Sequence, residues 1–398
     1  MDNQIKSSIL PTDIQNELIL IRNNSIDYQQ YETVRDLYYV YNKKNSTKMI
    51  NNLIKYIAEG KITFPFSNQY MDSPKKLLEN IKKYRPSINH IPFSLSKNRS
   101  LDQPKYNGQY VTISSGFENH DIMDGLTDLY TEDVRIQGRK IYSKLSTAQC
   151  WTNVDCLKSI IKQLISDKDL FKMRPKDLRE AIYRVSREPG LYKITWIKGV
   201  METIYETELG DIIPLNVEGK PLRWLDFSAG WGDRLAAAIA LGFDYVGFDP
   251  NRKLYPGQMR MIQELGDINK QIIYYQPFET AYLKYITDKD GLFDIVFTSP
   301  PFFKLELYSD DQDQSVNKYP NFNTWLNNFL FVSLNKAWNG LKLGGYMVIH
   351  IDDVKEGKII EPMKKYINEN LEKSKYKGII GLKGESGRIN PVFVWKKI

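Results

Sequence analysis

The chain has 398 residues, more than a single hydrophobic core usually supports, so at least two domains are expected. Hydrophobic residues make up 42% and charged residues 26%, which excludes a mainly disordered chain and is typical of a folded protein. The formal net charge of +7 is compatible with a polyanionic partner but does not require one.

The few cysteines and histidines limit what the chain can bind. Two cysteines, at 150 and 156, and three scattered histidines supply neither a disulfide framework nor a four-ligand zinc site, so no metal is expected. A run of about 18 apolar residues, as a membrane span needs, is missing, and so is a secretory signal pattern. The sequence therefore predicts a soluble protein of the reducing cytoplasm, with no membrane partner. The abundance of Lys, Asn, Ile and Tyr resembles coding by an AT-rich genome, and for a viral chain the location is the host cytoplasm.

Three successive ranges are expected along the chain. Apolar residues at helical spacing predict a helical N-terminal region over 1–108 and a mainly helical accessory or recognition region over 109–220. In the second range, Asn153–Ser166 carries an apolar stripe that is expected to pack into a core. Glycines and prolines between 208 and 223 predict a linker into the third range, 221–398.

Over 221–398 the pattern changes to alternating strands and helices. This alternation predicts an α/β fold, in which a Rossmann-like parallel sheet carries helices on both faces, preceded by the mainly helical N-terminal domain. The predicted strands are Trp224–Phe227, Tyr245–Phe248, Ile272–Tyr275, Phe293–Thr298, Tyr346–Ile351 and Val392–Trp395, and the predicted helices are Arg234–Leu241, Gln258–Leu265 and Phe322–Leu341.

A glycine-containing loop follows the first predicted strand. The segment 226–232 reads Asp-Phe-Ser-Ala-Gly-Trp-Gly and lies where doubly wound sheets bind ligands, between a strand and a helix. Gly230 and Gly232 permit positive φ and a close approach of the backbone to an extended ligand. Leu235 stands where a dinucleotide fingerprint has its third glycine, which argues against a nicotinamide cofactor.

Three acids and one serine complete the predicted cofactor site. Asp249 follows the second strand, where a carboxylate accepts both hydroxyls of a ribose, although an Asp before Pro250 also caps turns. Asp226 is expected either to bind an amino group of the ligand or to hold the loop through backbone amides, with Ser228 beside it. Glu279, after the third strand, is a candidate near an adenine ring or an exposed loop acid.

The catalytic prediction rests on Ser299-Pro300-Pro301-Phe302, which directly follows an apolar strand. Two prolines fix the turn, so its carbonyl oxygens and Ser299 can accept hydrogen bonds from an amino group and orient the nitrogen lone pair. Phe302 is expected to stack on a base turned out of its helix. The alternative is an ordinary strand-ending turn with Phe302 and Phe303 in the core.

The glycine loop, Asp249 and the segment Thr298–Phe303 resemble the first, second and fourth motifs of class I S-adenosylmethionine-dependent amino methyltransferases. The resemblance covers 221–398 and implies S-adenosylmethionine as cofactor and methyl transfer to the exocyclic amino group of a base, N4 of cytosine or N6 of adenine. In that family Ser299 favours cytosine. Many enzymes with Ser-Pro-Pro carry that motif before the glycine loop, whereas here the loop comes first.

Recognition of nucleic acid is expected from basic residues outside these motifs. The segment 171–198 interleaves aromatic residues with cations that can neutralise phosphates, or it is a solvated helix with its aromatics packed inward. Arg388, near the closing hairpin, is a further candidate, and 130–144 is a weaker one. The acidic run 306–315 is expected to be a surface loop, with a lid over the base pocket as the alternative. The candidate cations of the segment are Arg174, Lys176, Arg179, Arg184 and Arg187.

Several functions are compatible with these residues. DNA is the expected substrate and RNA the close second, because the motif recognises an amino group on a planar ring and not the sugar. Methylation of a small molecule or of a protein amide is another possibility. A silent binding subunit that retains the fold is a third, because fold does not ensure activity.

Overall fold

The computed structural model describes residues 51, 54–55, 57–60, 62–69, 71–92, 103–114, 123–167, 175–207, 215–282, 291–384 and 387–398. Residues 1–50 of the expected helical N-terminal region and the candidate cation Arg174 lie outside the described residues. None of the described helices is both long enough and apolar enough to cross a membrane.

The elements of the first half are mostly helices and short strands. In chain order they are α1 Pro74–Lys83, β1 Ser87–Asn89, β2 Lys105–Tyr106, β3 Gln109–Tyr110, β4 Thr112–Ser114, α2 Asp128–Arg135, β5 Arg139–Lys140, α3 Thr147–Thr152, α4 Val154–Asp167, α5 Pro175–Ser186 and α6 Ile194–Tyr205.

The second half alternates strands and helices. Its elements are β6 Arg223–Asp226, α7 Asp233–Leu241, β7 Asp244–Phe248, α8 Tyr255–Leu265, β8 Gln271–Tyr274, β9 Phe293–Thr298, β10 Glu306–Leu307, α9 Ser315–Lys318, α10 Phe322–Trp325, a π-helical turn Leu326–Leu330, α11 Phe331–Asn339, β11 Leu341–His350, α12 Ile360–Asn370, β12 Ser374–Lys383 and β13 Ile389–Lys397.

The chain divides into two compact units that are interleaved along the sequence. The first combines parts of 1–71 and 135–189, and the second combines 72–134 with 190–398. None of their boundaries coincides with the expected positions near 108 and 220. The difference arises because β1 to β4 lie in the same sheet as the later strands, a tertiary pairing that composition does not reveal.

The first unit has a helical core. Leu157, Ile160 and Leu164 of α4 are buried, so the predicted apolar stripe does face a core, where it joins Leu178 and Ile182 of α5. The capping box of α3 fixes the start of that helix: Ser146 accepts from the backbone of Gln149, whose side chain accepts in return. The two cysteines, 150 and 156, form a disulfide here, although the sequence predicted no disulfide framework.

The second unit is built on a single large sheet. Its strand order is β1-β4-β12-β13-β11-β9-β6-β7-β8. The strands β11, β9, β6, β7 and β8 run parallel, while β13 is antiparallel to both of its neighbours, β11 and β12. The Rossmann-like α/β fold predicted for this region is therefore confirmed. The short strands β1 to β4 were not predicted, because two or three residues show no measurable alternation.

The order of the strands fixes where a ligand site can lie. β6 and β9 are neighbours, but the chain continues from β6 to β7 and β8 on one side and from β9 to β11 on the other. Such a switch point leaves a crevice outside the carboxyl ends of the strands. The glycine loop follows β6 and the Ser-Pro-Pro turn follows β9, so the fold brings the two predicted motifs to the same crevice.

The long helix predicted over Phe322–Leu341 begins at the expected residue but is not regular. After α10 the chain makes the π-helical turn, and α11 completes the helix as far as Asn339. Trp325, Leu330 and Leu334 from the three segments are all buried in the core of the second unit. The extra residue of a π turn shifts the apolar face, so that all three segments can bury their side chains.

Candidate active site

One cavity of about 250 Å³ lies at the carboxyl edge of the sheet, within the second unit. It is lined by Gly230, Asp249 and Glu279 of the predicted cofactor site, and also by Ser299 and Phe302 of the predicted catalytic turn. The structure therefore brings the two sets of residues together in one space. This is the arrangement that transfer between two bound groups requires.

The glycine loop adopts a conformation that its glycines make possible. Gly230 has φ +60° and Gly232 has φ +107°, both in the left-handed region that other residues avoid. The side-chain amide of Gln258 donates to the carbonyl of Gly230 at 2.8 Å, and the hydroxyl of Thr131 donates to the carbonyl of Trp231 at 2.9 Å. Side chains from other elements thus fix the backbone of the loop from outside.

Asp226 is fully buried beneath the loop and accepts four hydrogen bonds. Its Oδ1 accepts from the backbone N–H of Ser228 at 3.1 Å and from the hydroxyl of Thr298 at 2.7 Å. Its Oδ2 accepts from the hydroxyl of Tyr245 at 2.7 Å and from Nε of Arg234 at 2.6 Å. Two roles were predicted for Asp226, and these contacts correspond to the one in which it holds the loop. The bond from Thr298 also ties the loop to the end of β9, where the Ser-Pro-Pro-Phe turn begins.

Arg234, in the first turn of α7, is a site residue that the sequence did not reveal. It forms the buried ion pair with Asp226 and also donates to the carbonyl of Ser228. Burial lowers the pKa of Arg234 and the Asp226 carboxylate raises it, and the net change is a rise, so the guanidinium stays charged. Its Nη1 makes no hydrogen bond to another residue in the described part of the chain. Because Arg234 lines the cavity, a permanent cation stands beside the loop.

Tyr192 covers the same region of the cavity. Its backbone N–H donates to Oδ2 of Asp233 at 3.1 Å, and the guanidinium of Arg234 lies 5.5 Å from the centre of its ring. The Tyr192 hydroxyl is buried and has no hydrogen-bond partner among the described residues. A buried donor without a partner carries an energetic cost. Tyr192 belongs to the segment 171–198, for which the sequence left open either a nucleic-acid surface or aromatics packed inward, and the structure shows that it lines the cavity.

Asp249 lies at the end of β7 with its carboxylate at the cavity. Its Oδ2 accepts from the backbone N–H of Gly230 and its Oδ1 from that of Asn251, each at 2.9 Å. The turn-capping contact and the position beside the loop therefore occur together, and each oxygen keeps a second acceptor site. Burial raises the pKa of Asp249 to about 6, although the two backbone N–H groups lower it.

Glu279 is buried and lines the cavity, so the alternative of an exposed loop acid does not apply. Its Oε1 accepts from Nζ of Lys318 at 3.0 Å and from the hydroxyl of Tyr319 at 3.4 Å. The ion pair offsets the cost of burying the carboxylate. It also leaves Oε2 without a hydrogen bond to the described residues, so Glu279 retains an acceptor.

The Ser-Pro-Pro-Phe turn separates its two phenylalanines. Phe302 is half-buried and lines the cavity, whereas Phe303 is buried against Phe322 and Trp325 with φ +49°. The alternative in which both rings belong to the core is therefore correct for Phe303 alone. Ser299, Pro300 and Pro301 also line the cavity.

His350, the last residue of β11, is the second site residue that the sequence did not reveal. Its Nδ1 lies 3.1 Å from the Ser299 hydroxyl oxygen, and its ring meets those of Phe302 and Tyr192 edge to face at 5.4 and 5.0 Å. Burial, with the nearby cations Arg234 and Arg388, lowers the pKa of His350 to about 3. The imidazole is therefore neutral at physiological pH.

The acidic run 306–315 is more than a solvated surface loop. Glu306, Tyr308, Asp313, Gln314 and Ser315 all line the cavity. The Tyr308 ring also packs on Trp231 of the glycine loop at 5.7 Å, edge to face. The expected surface loop is therefore wrong for these residues, because apolar contact with the loop holds the run over the cavity.

The basic candidates are distributed more widely. Lys176, Arg179, Arg184 and Arg187 lie in or just after α5 of the first unit, and Arg184 and Arg187 are exposed. Arg179 packs on the ring of Tyr183 at 4.3 Å. Tyr183 and Trp196 are buried, so these two aromatic side chains pack inward and are not available to stack on bases.

Arg388, by contrast, lies in the second unit near the cavity. Its guanidinium forms an ion pair with Asp352 at 2.8 Å, and half of its side chain is exposed. After burial and the charge of Arg234, the positive charge of Arg388 contributes to the lowered pKa of the His350 imidazole.

No protein-family model and no curated protein sequence matches the chain. Solved structures do resemble it. An rRNA methylase from Streptococcus thermophilus is 12% identical over 44% of this chain and 87% of its own, with a TM-score of 0.31. A Burkholderia thailandensis 1,6-didemethyltoxoflavin-N1-methyltransferase with bound S-adenosylhomocysteine is 11% identical over 51% of this chain and 77% of its own, with a TM-score of 0.34. An Agrobacterium tumefaciens SAM-dependent methyltransferase is 16% identical over 54% of this chain and 64% of its own, with a TM-score of 0.34. At this level the likeness concerns the fold alone.

Proposed function

We propose that the protein is an S-adenosylmethionine-dependent methyltransferase that acts on the exocyclic amino group of a base in nucleic acid, with DNA as the preferred substrate. The observation that carries the proposal is the single cavity lined by both the glycine loop and the Ser-Pro-Pro-Phe turn. A methyl donor on the loop and an amino group on the turn would therefore lie in the same space.

The residues at the loop fit the cofactor. Asp249 offers two acceptor sites for the hydroxyls of a ribose, and Glu279 offers one for an adenine amino group. Arg234 is a donor suited to a carboxylate, because its guanidinium stays charged and the residue lines the cavity. When bound, S-adenosylmethionine supplies an electrophilic methyl group.

The residues at the turn fit an amino group. Ser299 and the carbonyl oxygens next to the prolines accept its N–H hydrogen bonds, which favours a tetrahedral nitrogen with its lone pair exposed. Phe302 provides a face on which a planar ring stacks. No group is required to remove a proton before the nitrogen attacks. The neutral His350 agrees with this, because a group with a pKa of about 3 is a weak base.

Cytosine and adenine both present such an amino group, and Ser299 favours N4 of cytosine by its resemblance to the family. RNA is the alternative polymer, since the residues described recognise a base and not a sugar. In the first unit we assign phosphate contacts to the exposed cations Arg184 and Arg187 and to Lys176 and Arg179 of the same helix region. In the second unit we assign a phosphate contact to the exposed Arg388.

The experiment is incubation with methyl-labelled S-adenosylmethionine and DNA, RNA or free nucleosides, followed by digestion and identification of the labelled nucleoside. Label in N4-methylcytosine or N6-methyladenine from DNA supports the proposal, and label from RNA selects the alternative polymer. Ser299→Ala is the matched control, since it removes one acceptor from the turn and leaves the loop intact. Wild-type protein that binds S-adenosylhomocysteine but labels no base contradicts the proposal.

A further inference from the structure

We propose that His350 is a positioning residue that holds the Ser299 hydroxyl as a pure hydrogen-bond acceptor toward the substrate amino group. The inference rests on the proposed function and adds a residue to it. It starts from a contact between two neighbouring strands. β9 and β11 are parallel with Thr298 opposite Ile349, so the residues that follow, Ser299 and His350, emerge side by side at the carboxyl edge. Their side chains meet at 3.1 Å.

A serine hydroxyl alone does not define its role. It has one proton and two lone pairs, and the proton rotates to the best available acceptor. Near an amino nitrogen that is about to be methylated, the wrong acceptor would be the nitrogen lone pair. A Ser299 hydroxyl that donated to that lone pair would block the electron pair that must form the new bond. The Ser299 hydroxyl therefore needs another acceptor, so that it donates its hydrogen bond to that group and not to the substrate nitrogen.

His350 supplies that acceptor. A neutral imidazole has one N–H and one lone pair, and Nδ1 is the nitrogen that faces Ser299. When the ring proton is on Nε2, Nδ1 accepts a hydrogen bond from the Ser299 hydroxyl, and both lone pairs of the Ser299 oxygen are left for the amino group. In the other tautomer Nδ1–H would donate a hydrogen bond to the Ser299 oxygen, and the Ser299 hydroxyl would then point its proton toward the substrate. Only the Nε2–H form serves the proposed reaction.

The surroundings keep the imidazole in the required charge state. A protonated ring would donate from both nitrogens and could not accept from Ser299. Arg234 and Arg388 are the cations that disfavour this form, and burial acts in the same direction. The rings of Phe302 and Tyr192 pack against the imidazole edge to face and restrict its rotation. Nε2 makes no hydrogen bond to any residue in the described ranges, so its proton is available to a ring nitrogen beside the amino group of a base.

The first test reads the tautomer directly and needs no enzyme activity. The full chain contains three histidines, so uniform ¹⁵N-histidine labelling gives few ring signals. The spectrum of His350→Asn identifies those of His350, and His90→Asn, at an exposed histidine, is the matched control. We expect Nε2 to carry the proton at pH 7 and the Nδ1 signal to shift in Ser299→Ala. A proton on Nδ1, a doubly protonated ring, or an Nδ1 signal unaffected by Ser299→Ala overturns the inference.

The second test separates positioning from structural support. His350→Phe keeps an aromatic ring without an acceptor, and His350→Asn keeps an acceptor at nearly the same place. We expect His350→Phe to lower kcat about 10- to 100-fold, as misplaced catalytic groups do, with partial recovery in His350→Asn. Binding of S-adenosylhomocysteine is expected to stay within about twofold in both, because the cofactor residues are untouched.

A double-mutant cycle completes the second test. In the Ser299→Ala background, His350→Phe is expected to cost less than about twofold in kcat, because the group it positions is gone. An equal loss in both backgrounds, or a parallel loss of S-adenosylhomocysteine binding, indicates a structural role and overturns the inference. A wild-type protein that labels no base refutes the proposed function, and with it the role of His350, even when the tautomer is as expected.

Discussion

Acidification is expected to weaken cofactor binding through Asp249. The ionised carboxylate accepts hydrogen bonds from both ribose hydroxyls, whereas the protonated acid loses an acceptor and presents a competing donor. Because burial raises the pKa of Asp249 to about 6, the carboxylate is about 90% ionised at pH 7 and about 10% ionised at pH 5. Affinity for S-adenosylhomocysteine should therefore fall about tenfold between pH 7 and pH 5, or about 1.4 kcal/mol.

The assay is isothermal titration of S-adenosylhomocysteine at pH 7, 6 and 5, with Asp249→Asn as control. The amide keeps the size and one acceptor but does not titrate, so its affinity is expected to be lower at pH 7 and to change little with pH. Asp233, whose pKa burial raises to about 7, titrates in both proteins and cancels in the comparison. An equal pH dependence in wild type and Asp249→Asn, or none in wild type, refutes the reasoning.

Further changes have different expected outcomes. Ser299→Ala should lower kcat about 100-fold with unchanged S-adenosylhomocysteine affinity, measured by labelling and titration. Arg234→Leu leaves a buried carboxylate without its cation and should cost about 3–5 kcal/mol of stability in urea unfolding, less when combined with Asp226→Asn; additive losses would contradict this. Gly378→Ala places Cβ 1.9 Å from a backbone oxygen and should lower Tm more than Gly219→Ala, where Cβ meets nothing within 4 Å; equal losses would contradict this.

The sequence predicted the parts of the fold that rest on local pattern. The strand Phe293–Thr298 has the bounds expected from its apolar run, and the glycine loop ends where α7 begins. The glycine loop and the Ser-Pro-Pro-Phe turn each follow a strand within one continuous segment. They could be recognised from neighbouring residues in the sequence. The prediction that they share one crevice followed from the general rule for parallel sheets.

The residues missed are those whose role depends on sheet neighbours. His350 ends a strand about fifty residues after Ser299, and only the parallel pairing of β9 with β11 brings them together. Arg234 resembles any charged residue at the start of a helix until Asp226 is seen beneath it. Tyr192 lies in a segment whose basic and aromatic residues made it a candidate nucleic-acid surface. The burial of its hydroxyl depends on tertiary packing, which that pattern does not show. The one sequence signal that could have indicated such residues is a polar side chain at the end of an apolar strand.

In the proposed reaction one cavity receives both the methyl donor and the base. A bisubstrate compound that joins the 5′ carbon of adenosine to the exocyclic nitrogen of cytosine or adenine tests this arrangement directly by titration. We expect this compound to bind at least about 100-fold more tightly than adenosine alone, because linking the two parts makes the second contact intramolecular. We also expect Phe302→Ala to remove most of that gain. Equal binding of the linked compound and adenosine would contradict the account.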